Sequence, residues 1–570
     1  MWAISTAPAS GQQNQPEDST GRTENRLVVA NRHMVAAAHP EAVAAGLEML
    51  RRGGSAADAA IAVQLVLNLV EPQSSGIGGG AFLLFYDAER NRTVAFDGRE
   101  TAPIAATPDL FLTADGTPVK FGDAIVGGRS VGTPGTVALL ARVFQEHGKL
   151  TWPELFAPAI RLAQEGFIVG PRLAKMLASE RGRRLQTYAE ARDYFFPGGA
   201  PLRAGTRKTN PRFSQTLIAI AERGPAAFYS GVIAEDIVAA VRDTPGNPGR
   251  LSLADLASYD IVRRDPVCHG YRSYRVCGMG PPSSGGLTVG LTLGMLTAFD
   301  LPGMGPRDPQ SWHLLAEASK LAFADRNQYM ADGDFVPVPE AGLLDRDYVA
   351  KRTAFIRRET SILPPVVHGL PPGAPAPKRA PDNQNGRPGT SHISIVDGFG
   401  NAVSMTTTIE GAFGSQLMVR GFLLNNELTD FSFVPNKAGQ PVANRVEPRK
   451  RPRSSMAPTL VFNADGTLRL VVGSPGGSRI IGYVAKTLVA VLDWNLDIQA
   501  AIDLGHVVNR NGATDFEAGT EAEALVPAFK ALGHTTSVRD LNSGLHGIEI
   551  VDGKLRGGAD PRREGVARGD

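Results

Sequence analysis

Thr390-Ser391-His392-Ile393-Ser394-Ile395-Val396 begins abruptly after a long segment rich in proline and glycine. Its alternation of polar and apolar residues predicts a β-strand, the next five residues predict a turn, and Ala402 to Ile409 predicts a returning strand. The preceding residues 363–389 contain repeated prolines and no apolar period, which indicates an exposed linker. The pattern therefore predicts a β-hairpin that starts where the linker ends.

On both sides of this junction the chain mixes helices with strands. In residues 27 to about 360, Pro40 opens a predicted helix that Gly53-Gly54 ends, and Ser55 caps a second helix. Further amphipathic helices are predicted at Thr136–His147, Ser214–Glu222 and Gln310–Tyr329. After the hairpin, strands are predicted at residues 459–462 and 468–472, and an apolar helix at residues 480–492. These elements predict an α/β (α+β) protein.

Composition excludes several classes of function. The 570 residues carry a formal charge of +2, with 42% apolar and 20% charged residues, and no basic stripe interleaved with aromatic residues marks a nucleic-acid surface. The most apolar stretch, Ala59 to Val70, falls short of the roughly 18 to 20 residues that span a bilayer. Residues 1–26 are predicted to be a disordered leader. A removed signal peptide would place the protein in the periplasm or outside the cell.

Cys268 and Cys277 are the only cysteines. They flank a short segment in which two strands could pair around a turn and bring the thiols together. A disulfide and a pair of inert buried thiols both fit this pattern. A zinc site does not, because the sequence offers neither a C-x-x-C motif nor a Cys/His quartet.

Two glycine-rich motifs imitate known sites. Residues 76–81 match the dinucleotide fingerprint, but a helix precedes them and a strand follows, which reverses the required order. Residues 128–132 match the G-x-S-x-G nucleophile elbow, so Ser130 is a candidate serine nucleophile. The apolar run before Ser130 is short, however, and no later acid and histidine pair stands out.

Thr390 is the stronger candidate nucleophile. A threonine that becomes the first residue of its chain can use its own α-amine as the base, and that amine titrates at roughly 7.7 to 8.0. The predicted hairpin places Thr408 within one position of Thr390, where a second hydroxyl can support the nucleophile. Gly476-Gly477, between a strand and a helix, can offer backbone N–H groups to a developing oxyanion.

Several motifs in the same order resemble the γ-glutamyltransferase (glutathione hydrolase) family, from about Val28 to Arg562. They are the strand that begins at Thr390, the segments at residues 424–432 and 453–456, and Gly473-Ser474-Pro475-Gly476-Gly477. The resemblance implies an N-terminal-nucleophile hydrolase with a four-layer αββα sandwich. It also implies a precursor that cuts itself before Thr390 into a large subunit, residues 27–389, and a small catalytic subunit, residues 390–570, which stay interlocked.

The resemblance further implies transfer of a γ-glutamyl group from a glutathione-like donor to water or to an amino-acid or peptide amine, without metal or organic cofactor. Thr390 would be the nucleophile, Thr408 its support, and Gly476 and Gly477 the oxyanion hole. Further residues would bind the donor. Arg99, Ser454 and Ser455 would hold its α-carboxylate, and Glu427 and Asp430 its α-ammonium, a division that suits a guanidinium and paired carboxylates.

The sequence departs from the family pattern at two places. Glu410 stands where typical members carry asparagine, and by the strand period its side chain should line the pocket near the donor's amino group. The segment from Phe433 to Pro452 is shorter than the usual lid and lacks its tyrosine. An acylase of the same fold, acting on a glutaryl β-lactam side chain or on poly-γ-glutamate, is therefore an alternative. A noncatalytic relative is another.

Overall fold

The computed structural model describes residues 20–374, 379–382 and 389–570. In chain order the strands are β1 (Val28–Ala30), β2 (Met34–Ala37), β3 (Gly80–Asp87), β4 (Arg92–Gly98), β5 (Phe167–Ile168), β6 (Arg207–Lys208), β7 (Val262–Arg264), β8 (Val267–Tyr271), β9 (Tyr274–Gly278), β10 (Thr390–Val396), β11 (Ala402–Thr408), β12 (Met418–Val419), β13 (Phe422–Leu423), β14 (Asn436–Lys437), β15 (Gln440–Pro441), β16 (Thr459–Phe462), β17 (Leu468–Gly473), β18 (Val507–Asn509), β19 (Thr514–Glu517), β20 (Thr536–Arg539), β21 (His546–Val551), β22 (Lys554–Ala559) and β23 (Val566–Gly569).

The α-helices are α1 (Pro40–Arg51), α2 (Ala56–Val70), α3 (Phe121–Ile125), α4 (Thr136–His147), α5 (Ala157–Glu165), α6 (Pro171–Ala178), α7 (Glu180–Arg183), α8 (Ala189–Phe195), α9 (Pro211–Arg223), α10 (Ala226–Tyr229), α11 (Val232–Arg242), α12 (Leu253–Ala257), α13 (Gly285–Leu296), α14 (Leu301–Met304), α15 (Pro309–Tyr329), α16 (Glu340–Leu343), α17 (Arg346–Thr353), α18 (Ile480–Leu492), α19 (Ile498–Asp503) and α20 (Val526–Ala531). Within these bounds no helix combines the length and the apolar character needed to cross a bilayer.

Two 7-stranded sheets form the centre of the molecule, in the orders β1-β22-β21-β17-β16-β9-β8 and β23-β2-β10-β11-β3-β4-β7. Side chains of β3 alternate between two cores. Phe82 and Leu84 join a core shared with the first sheet, whereas Leu83 and Phe85 join a core with α1 and α2. Helices α13, α15 and α18 contribute to the core of the first sheet. The predicted four-layer αββα sandwich is confirmed.

Strands β10 and β11 form the predicted hairpin, in which Thr390 pairs directly with Thr408. Asp397 fixes the turn, because its side chain accepts hydrogen bonds from the backbone N–H groups of Phe399 and Asn401 at 2.9 Å each. The same carboxylate accepts the N–H of Ala56, the first residue of α2, at 2.8 Å. The turn is thus tied to the helix that covers the sheet. All seven residues of each strand are buried.

Residues on both sides of the Gly389-Thr390 junction supply strands to both sheets. The second sheet takes β2, β3, β4 and β7 from before the junction and β10, β11 and β23 from after it. The first sheet is mixed in the same way. A break in the chain at residue 389 would therefore leave the two parts interlocked.

Cys268 and Cys277 lie directly opposite each other on β8 and β9 and are joined by a disulfide. The glycine-rich residues 76–81 serve close backbone packing, because a Cβ on Gly78 would lie 2.1 Å from the carbonyl oxygen of Leu423. A Cβ on Gly79 would lie 2.0 Å from that of Thr408. Backbone proximity rather than nucleotide binding accounts for this motif.

The predicted leader requires a correction. Residues 1–19 lie outside the described residues, but residues 20–26 are not disordered. The Thr23 N–H donates to the carbonyl of Pro561 at 2.8 Å, and the Arg22 guanidinium pairs with Glu517 at 3.1 Å. In one described part of the predicted linker, residues 363–374, Leu363 and Val367 are exposed.

Candidate active site

Thr390 lies at the start of β10 and lines a pocket. The lining residues come from segments far apart in the sequence: Arg99, Arg326, Thr390, Thr408, Glu410, Glu427, Asp430, Arg453, Ser454, Ser455, Met456, Gly477, Ser478 and Ile480. Nine of the ten residues selected from the sequence are among them. The tenth, Gly476, is the neighbour of Gly477.

The Thr408 hydroxyl connects Thr390 with the peptide bond that precedes it. It donates a hydrogen bond to the carbonyl oxygen of Gly389 at 2.6 Å. It also accepts hydrogen bonds from the Thr390 hydroxyl at 3.4 Å and from the N–H of Glu410 at 2.8 Å. Thr408 can therefore polarise the Gly389 carbonyl while it orients the Thr390 hydroxyl beside it.

Arg563 is a second positioning group, for which no sequence pattern provides a signal. Its Nη1 donates to the carbonyl oxygen of Thr390 at 3.0 Å, and its Nε donates to the carbonyl of Ser543. Arg563 is 1% exposed and comes from the loop before β23. It thus fixes the backbone of the nucleophile from the far end of the chain.

The backbone at Gly476 and Gly477 adopts φ values of 135° and 58°, which side-chain-bearing residues rarely adopt. A Cβ on Gly476 would also lie 2.6 Å from the Tyr483 ring. A short turn leads from Gly477 into α18. Donors at a helix N-terminus suit a developing negative charge, and Gly477 brings this turn to the pocket wall beside Thr390.

Arg99 lies in the pocket wall, but its guanidinium already has protein partners. Nη1 pairs with Glu427, Nη2 pairs with Asp430 at 2.6 Å, and Nε donates to the carbonyl of Pro452 at 3.1 Å. Arg99 is 1% exposed. Burial opposes its charge, but Glu427, Asp430 and Glu100 together raise the pKa of Arg99 above its usual value. The prediction that Arg99 holds the donor α-carboxylate stays a prediction, and without a donor its guanidinium pairs with Glu427 and Asp430.

Four carboxyl groups are here called the acidic cluster: Glu100, Glu427 and Asp430 act electrostatically on Arg99, and Glu410 acts on Glu427. Burial raises the pKa of Glu100 to about 7, against the lowering effect of Arg99. Burial also raises the pKa of Glu427 well above its usual value, and Glu100 raises it further. Burial and mutual repulsion thus favour the protonated forms of Glu100 and Glu427. With one of them protonated, the acidic cluster still has three carboxylates against the single charge of Arg99.

Stability should fall as the proton held by Glu100 is lost. Its pKa rises from 4.5 to about 7 on folding, so its stabilising effect is complete below the unfolded value and disappears as pH rises through the folded value. The test uses the Thr390→Ala background, which keeps one chain. Between about pH 5 and pH 8, the free energy of unfolding should fall by about 1–3 kcal/mol less in Glu100→Gln than in the parent protein. Urea unfolding at both pH values measures this. Identical pH slopes in the two proteins would contradict the assignment.

Glu410 has φ of 72°, in the left-handed region that asparagine tolerates better than glutamate. Its carboxylate accepts a hydrogen bond from the side-chain amide of Asn426. Glu410 is buried and lines the pocket two residues beyond Thr408. The sequence prediction that its side chain faces the pocket agrees with this position.

Ser454 and Ser455 line the pocket. Ser455 contacts Arg326, a residue that sequence analysis missed. The Ser455 hydroxyl accepts a hydrogen bond from Nη2 of Arg326 at 2.7 Å. Arg326 lies on α15 within the predicted helix at residues 310–329. The same helix carries other buried charged residues, Glu317, Lys320 and Asp325. A charged side chain on this helix therefore does not by itself mark a pocket residue.

Two other clusters do not form a catalytic centre. The Ser130 hydroxyl donates to the backbone carbonyls of Ile125 at 2.8 Å and Gly127 at 3.3 Å, which leaves it without the histidine partner of a serine hydrolase among the described residues. His313, Glu317 and His534 approach one another closely enough to hold a metal ion. However, the Lys320 ammonium neutralises Glu317 at 2.7 Å.

Comparisons with known proteins identify the family of this chain. The family model for γ-glutamyltranspeptidase matches residues 42–569. The chain belongs to the γ-glutamyltranspeptidase family. It is 36% identical over 547 residues to the glutathione hydrolase proenzyme of Bacillus subtilis (strain 168), covering 94% of this chain and 91% of that protein. The family predicted from the sequence motifs is confirmed.

Acylases are also among the relatives of this γ-glutamyltranspeptidase-family chain. It is 33% identical over 556 residues to the acylase ACY 1 proenzyme of Pseudomonas sp. (strain SE83), covering 95% of this chain and 94% of that protein. The crystal structure of cephalosporin acylase from Bacillus halodurans matches with a TM-score of 0.84 and 26% identity, covering 100% of this chain and 99% of that chain. The fold is thus shared across both groups.

Proposed function

We propose that this protein is a self-processing γ-glutamyltransferase and glutathione hydrolase with Thr390 as its N-terminal nucleophile. The single observation that supports this most strongly is the contact of the Thr408 hydroxyl with both Thr390 and the Gly389 carbonyl. The glutathione hydrolase relatives support the same activity. The substrate class is a γ-glutamyl amide of the glutathione type.

Maturation would proceed by an N-to-O acyl shift. The Thr390 oxygen bonds to the Gly389 carbonyl carbon, the Gly389-Thr390 C–N bond breaks, and the Thr390 nitrogen receives the hydroxyl proton. Water then hydrolyses the resulting ester and releases the Gly389 carboxylate. Thr408 is placed to stabilise the negative charge that develops on the Gly389 oxygen, since it already donates to that atom. The free α-amine of Thr390 becomes the base for later turnovers.

In turnover, the Thr390 oxygen would attack the γ-carbonyl carbon of the donor while its α-amine takes the hydroxyl proton. N–H groups at Gly476-Gly477 would stabilise the oxyanion, and the leaving amine would carry the proton away. Water or an acceptor amine then attacks the γ-glutamyl-Thr390 ester and restores the free hydroxyl. The two outcomes are hydrolysis and transpeptidation.

The acidic cluster would receive the α-ammonium of the donor. Asp430 is the candidate first contact, because 16% of its side chain is exposed whereas Glu427 and Arg99 are each at 1%. Arg99 would hold the carboxylates of Glu427 and Asp430 in position. A cation is favoured at this end of the pocket because the acidic cluster retains excess negative charge.

Kinetics on a γ-glutamyl anilide test the proposed activity. Purified, processed protein should release the aniline, and an added dipeptide acceptor should yield a new γ-glutamyl peptide that mass spectrometry detects. Ser130→Ala is the matched control, and it should keep full activity because, within the part of the chain that the structure describes, the Ser130 hydroxyl hydrogen-bonds only to backbone carbonyls. Loss of turnover in Ser130→Ala with Thr390 intact would contradict the proposal.

Glu410 should make the enzyme prefer donors with a free α-amine. We expect kcat/KM to be higher for a γ-glutamyl anilide than for the glutaryl anilide. The ratio should correspond to a difference in activation free energy of about 2 kcal/mol or more, the scale for leaving buried charges unpaired. Glu410→Gln should narrow this gap and still self-cleave. The measurement is kcat/KM for both substrates on both proteins. Equal or faster turnover of the glutaryl compound by wild type would move the protein into the acylase group.

That acylase activity is the second candidate, supported by the acylase relatives. The same site would then hold a glutaryl acyl group, as on a β-lactam side chain, or a poly-γ-glutamate segment. Only the amino group distinguishes a glutaryl from a γ-glutamyl donor. The substrate pair above therefore separates the two candidates.

We also propose that the protein works in an oxidising compartment, either the periplasm or the extracellular space. The Cys268–Cys277 disulfide supports this, because disulfides persist mainly in such compartments. Fractionation of cells that produce the protein should recover it outside the cytoplasm. Recovery of the processed enzyme only in the cytoplasm would contradict the proposal.

A further inference from the structure

Asp382 fixes the predicted linker to the wall of the pocket that Thr390 lines. It is the only acidic residue in the segment 363–389, and it is 2% exposed. Its carboxylate pairs with Nη2 of Arg453 at 3.2 Å and accepts a hydrogen bond from the side-chain amide of Asn444 at 2.9 Å. Arg453 itself lines the pocket. A residue of the linker thus forms a buried ion pair with the pocket wall.

Backbone contacts hold the same short segment in place. The N–H of Asp382 donates to the carbonyl of Asn327 at 2.8 Å, and Nη1 and Nη2 of Arg453 each donate to the carbonyl of Asp382 at 3.4 Å. Two residues earlier, the N–H of Ala380 donates to the carbonyl of Pro441 at 3.0 Å. A buried ion pair is costly unless further hydrogen bonds satisfy its groups. These contacts explain how Asp382 stays buried within a segment that the sequence predicts to be exposed.

Asn444 connects this ion pair with the acidic cluster. Its side-chain amide donates to the backbone carbonyl of Asp430 at 2.7 Å as well as to Asp382, and its side-chain oxygen accepts the N–H of Arg453 at 2.9 Å. Asn444 is fully buried. The ion pair is therefore held by the same part of the pocket wall that positions Asp430.

Gly389, at the other end of this segment, is also fixed. Its carbonyl oxygen accepts the Thr408 hydroxyl at 2.6 Å, and a Cβ on Gly389 would lie 2.4 Å from the carbonyl oxygen of Glu410. Gly389 therefore lies close against the backbone that follows β11. It comes seven residues after Asp382. The chain before the predicted cleavage point is thus held at two positions that are close in sequence.

We propose that the Asp382–Arg453 ion pair positions the Gly389-Thr390 peptide bond for self-cleavage. This inference rests on the proposed function and deepens it. An anchor seven residues upstream limits the arrangements that Gly389 can adopt. Less conformational entropy is then lost when the Thr390 hydroxyl oxygen approaches the Gly389 carbonyl carbon. Asp382 acts through the chain and not on the reacting atoms, so it is a positioning residue.

Asp382→Asn should slow self-cleavage by on the order of 5-fold, the factor expected when the free chain before Gly389 becomes about three times as long. The amide keeps the shape of the carboxylate and loses the charge that pairs with Arg453. Pulse-labelling of the precursor during cell-free synthesis, followed by denaturing gels, measures the rate. Asp260→Asn, which removes the same charge from a surface pair with Arg142, is the matched control and should mature like wild type.

A longer chain separates positioning from a general structural role. Eight glycines inserted directly after Asp382 leave the ion pair in place and about double the length of chain before Gly389, so they should slow self-cleavage of wild type about 3-fold. In Asp382→Asn the same insertion should have little further effect, because the anchor is already lost. Once processed, Asp382→Asn should keep the kcat/KM of wild type on a γ-glutamyl anilide.

An unchanged rate of self-cleavage in Asp382→Asn would overturn the positioning role, and so would an equal effect of the insertion in both backgrounds. A processed Asp382→Asn enzyme whose kcat/KM falls as much as its maturation rate would assign Asp382 a structural role instead. If Asp382→Asn does not fold, the insertion in wild type carries the test, and an unchanged rate there would overturn the proposal. Failure of wild type to cleave itself would instead reject the proposed function.

Discussion

Thr390→Ala should remain a single chain and should lose at least about 10⁴-fold in kcat on a γ-glutamyl anilide, the scale seen when a covalent nucleophile is removed. Alanine removes the oxygen that attacks Gly389 in maturation and the donor in turnover. The fold should persist, because Thr390 pairs with Thr408 through the backbone of β10 and β11. Denaturing gels and progress curves measure both effects.

Thr390→Ser is the control for this prediction. Serine keeps the hydroxyl and the α-amine, so the chain should still divide and should retain measurable turnover. Thr408→Ala provides a graded case, since it removes the donor to the Gly389 carbonyl and should slow maturation without abolishing it. Normal self-cleavage of the Thr390→Ala precursor would exclude Thr390 as the self-cleavage residue.

Arg99→Met should lower the free energy of unfolding by about 3–5 kcal/mol, as expected when one partner of a buried ion pair is removed. The change leaves Glu427 and Asp430 without the guanidinium that neutralises them, at a site where Arg99 and Glu427 are each 1% exposed. Urea unfolding in the Thr390→Ala background measures the loss.

The matched variant is Arg99→Met combined with Glu427→Gln. Removing the Glu427 carboxylate, which has lost its guanidinium partner, should recover part of the lost stability, because the remaining buried negative charge is smaller. Arg142→Met, which removes an arginine from a half-exposed surface pair with Asp260, should change stability little. Equal stability of Arg99→Met and wild type would contradict the role assigned to Arg99.

The sequence alone predicts those elements that depend on local residue patterns. The hairpin at Thr390 follows from alternation and a five-residue turn, and its register placed Thr408 within one position of its observed partner. The capping box at Ser55 and the proline at the start of α1 similarly set the bounds of two helices. The hairpin pattern alone is sufficient to predict that Thr390 lies beside Thr408.

Contacts of charged side chains with residues far away in the sequence could not be predicted from local patterns. Arg99 reaches Asp430 across 331 residues, and Arg563 reaches Thr390 across 173. No periodicity encodes such contacts. The resemblance therefore placed Arg99 in the pocket but could not show that Glu427 and Asp430 occupy its guanidinium. Arg326 was missed because it is one of several charged residues on α15, and only the packed structure shows that its partners are neutral.

The most direct test of Thr390 as the self-cleaving nucleophile is mass spectrometry of wild-type protein quenched in acid during turnover of a γ-glutamyl anilide. The expected result is two fragments, of which the smaller begins Thr-Ser-His-Ile and carries the added mass of a γ-glutamyl group on its first peptide. A fully active protein that remains one chain, or an acyl group on a peptide that does not contain Thr390, would contradict this account.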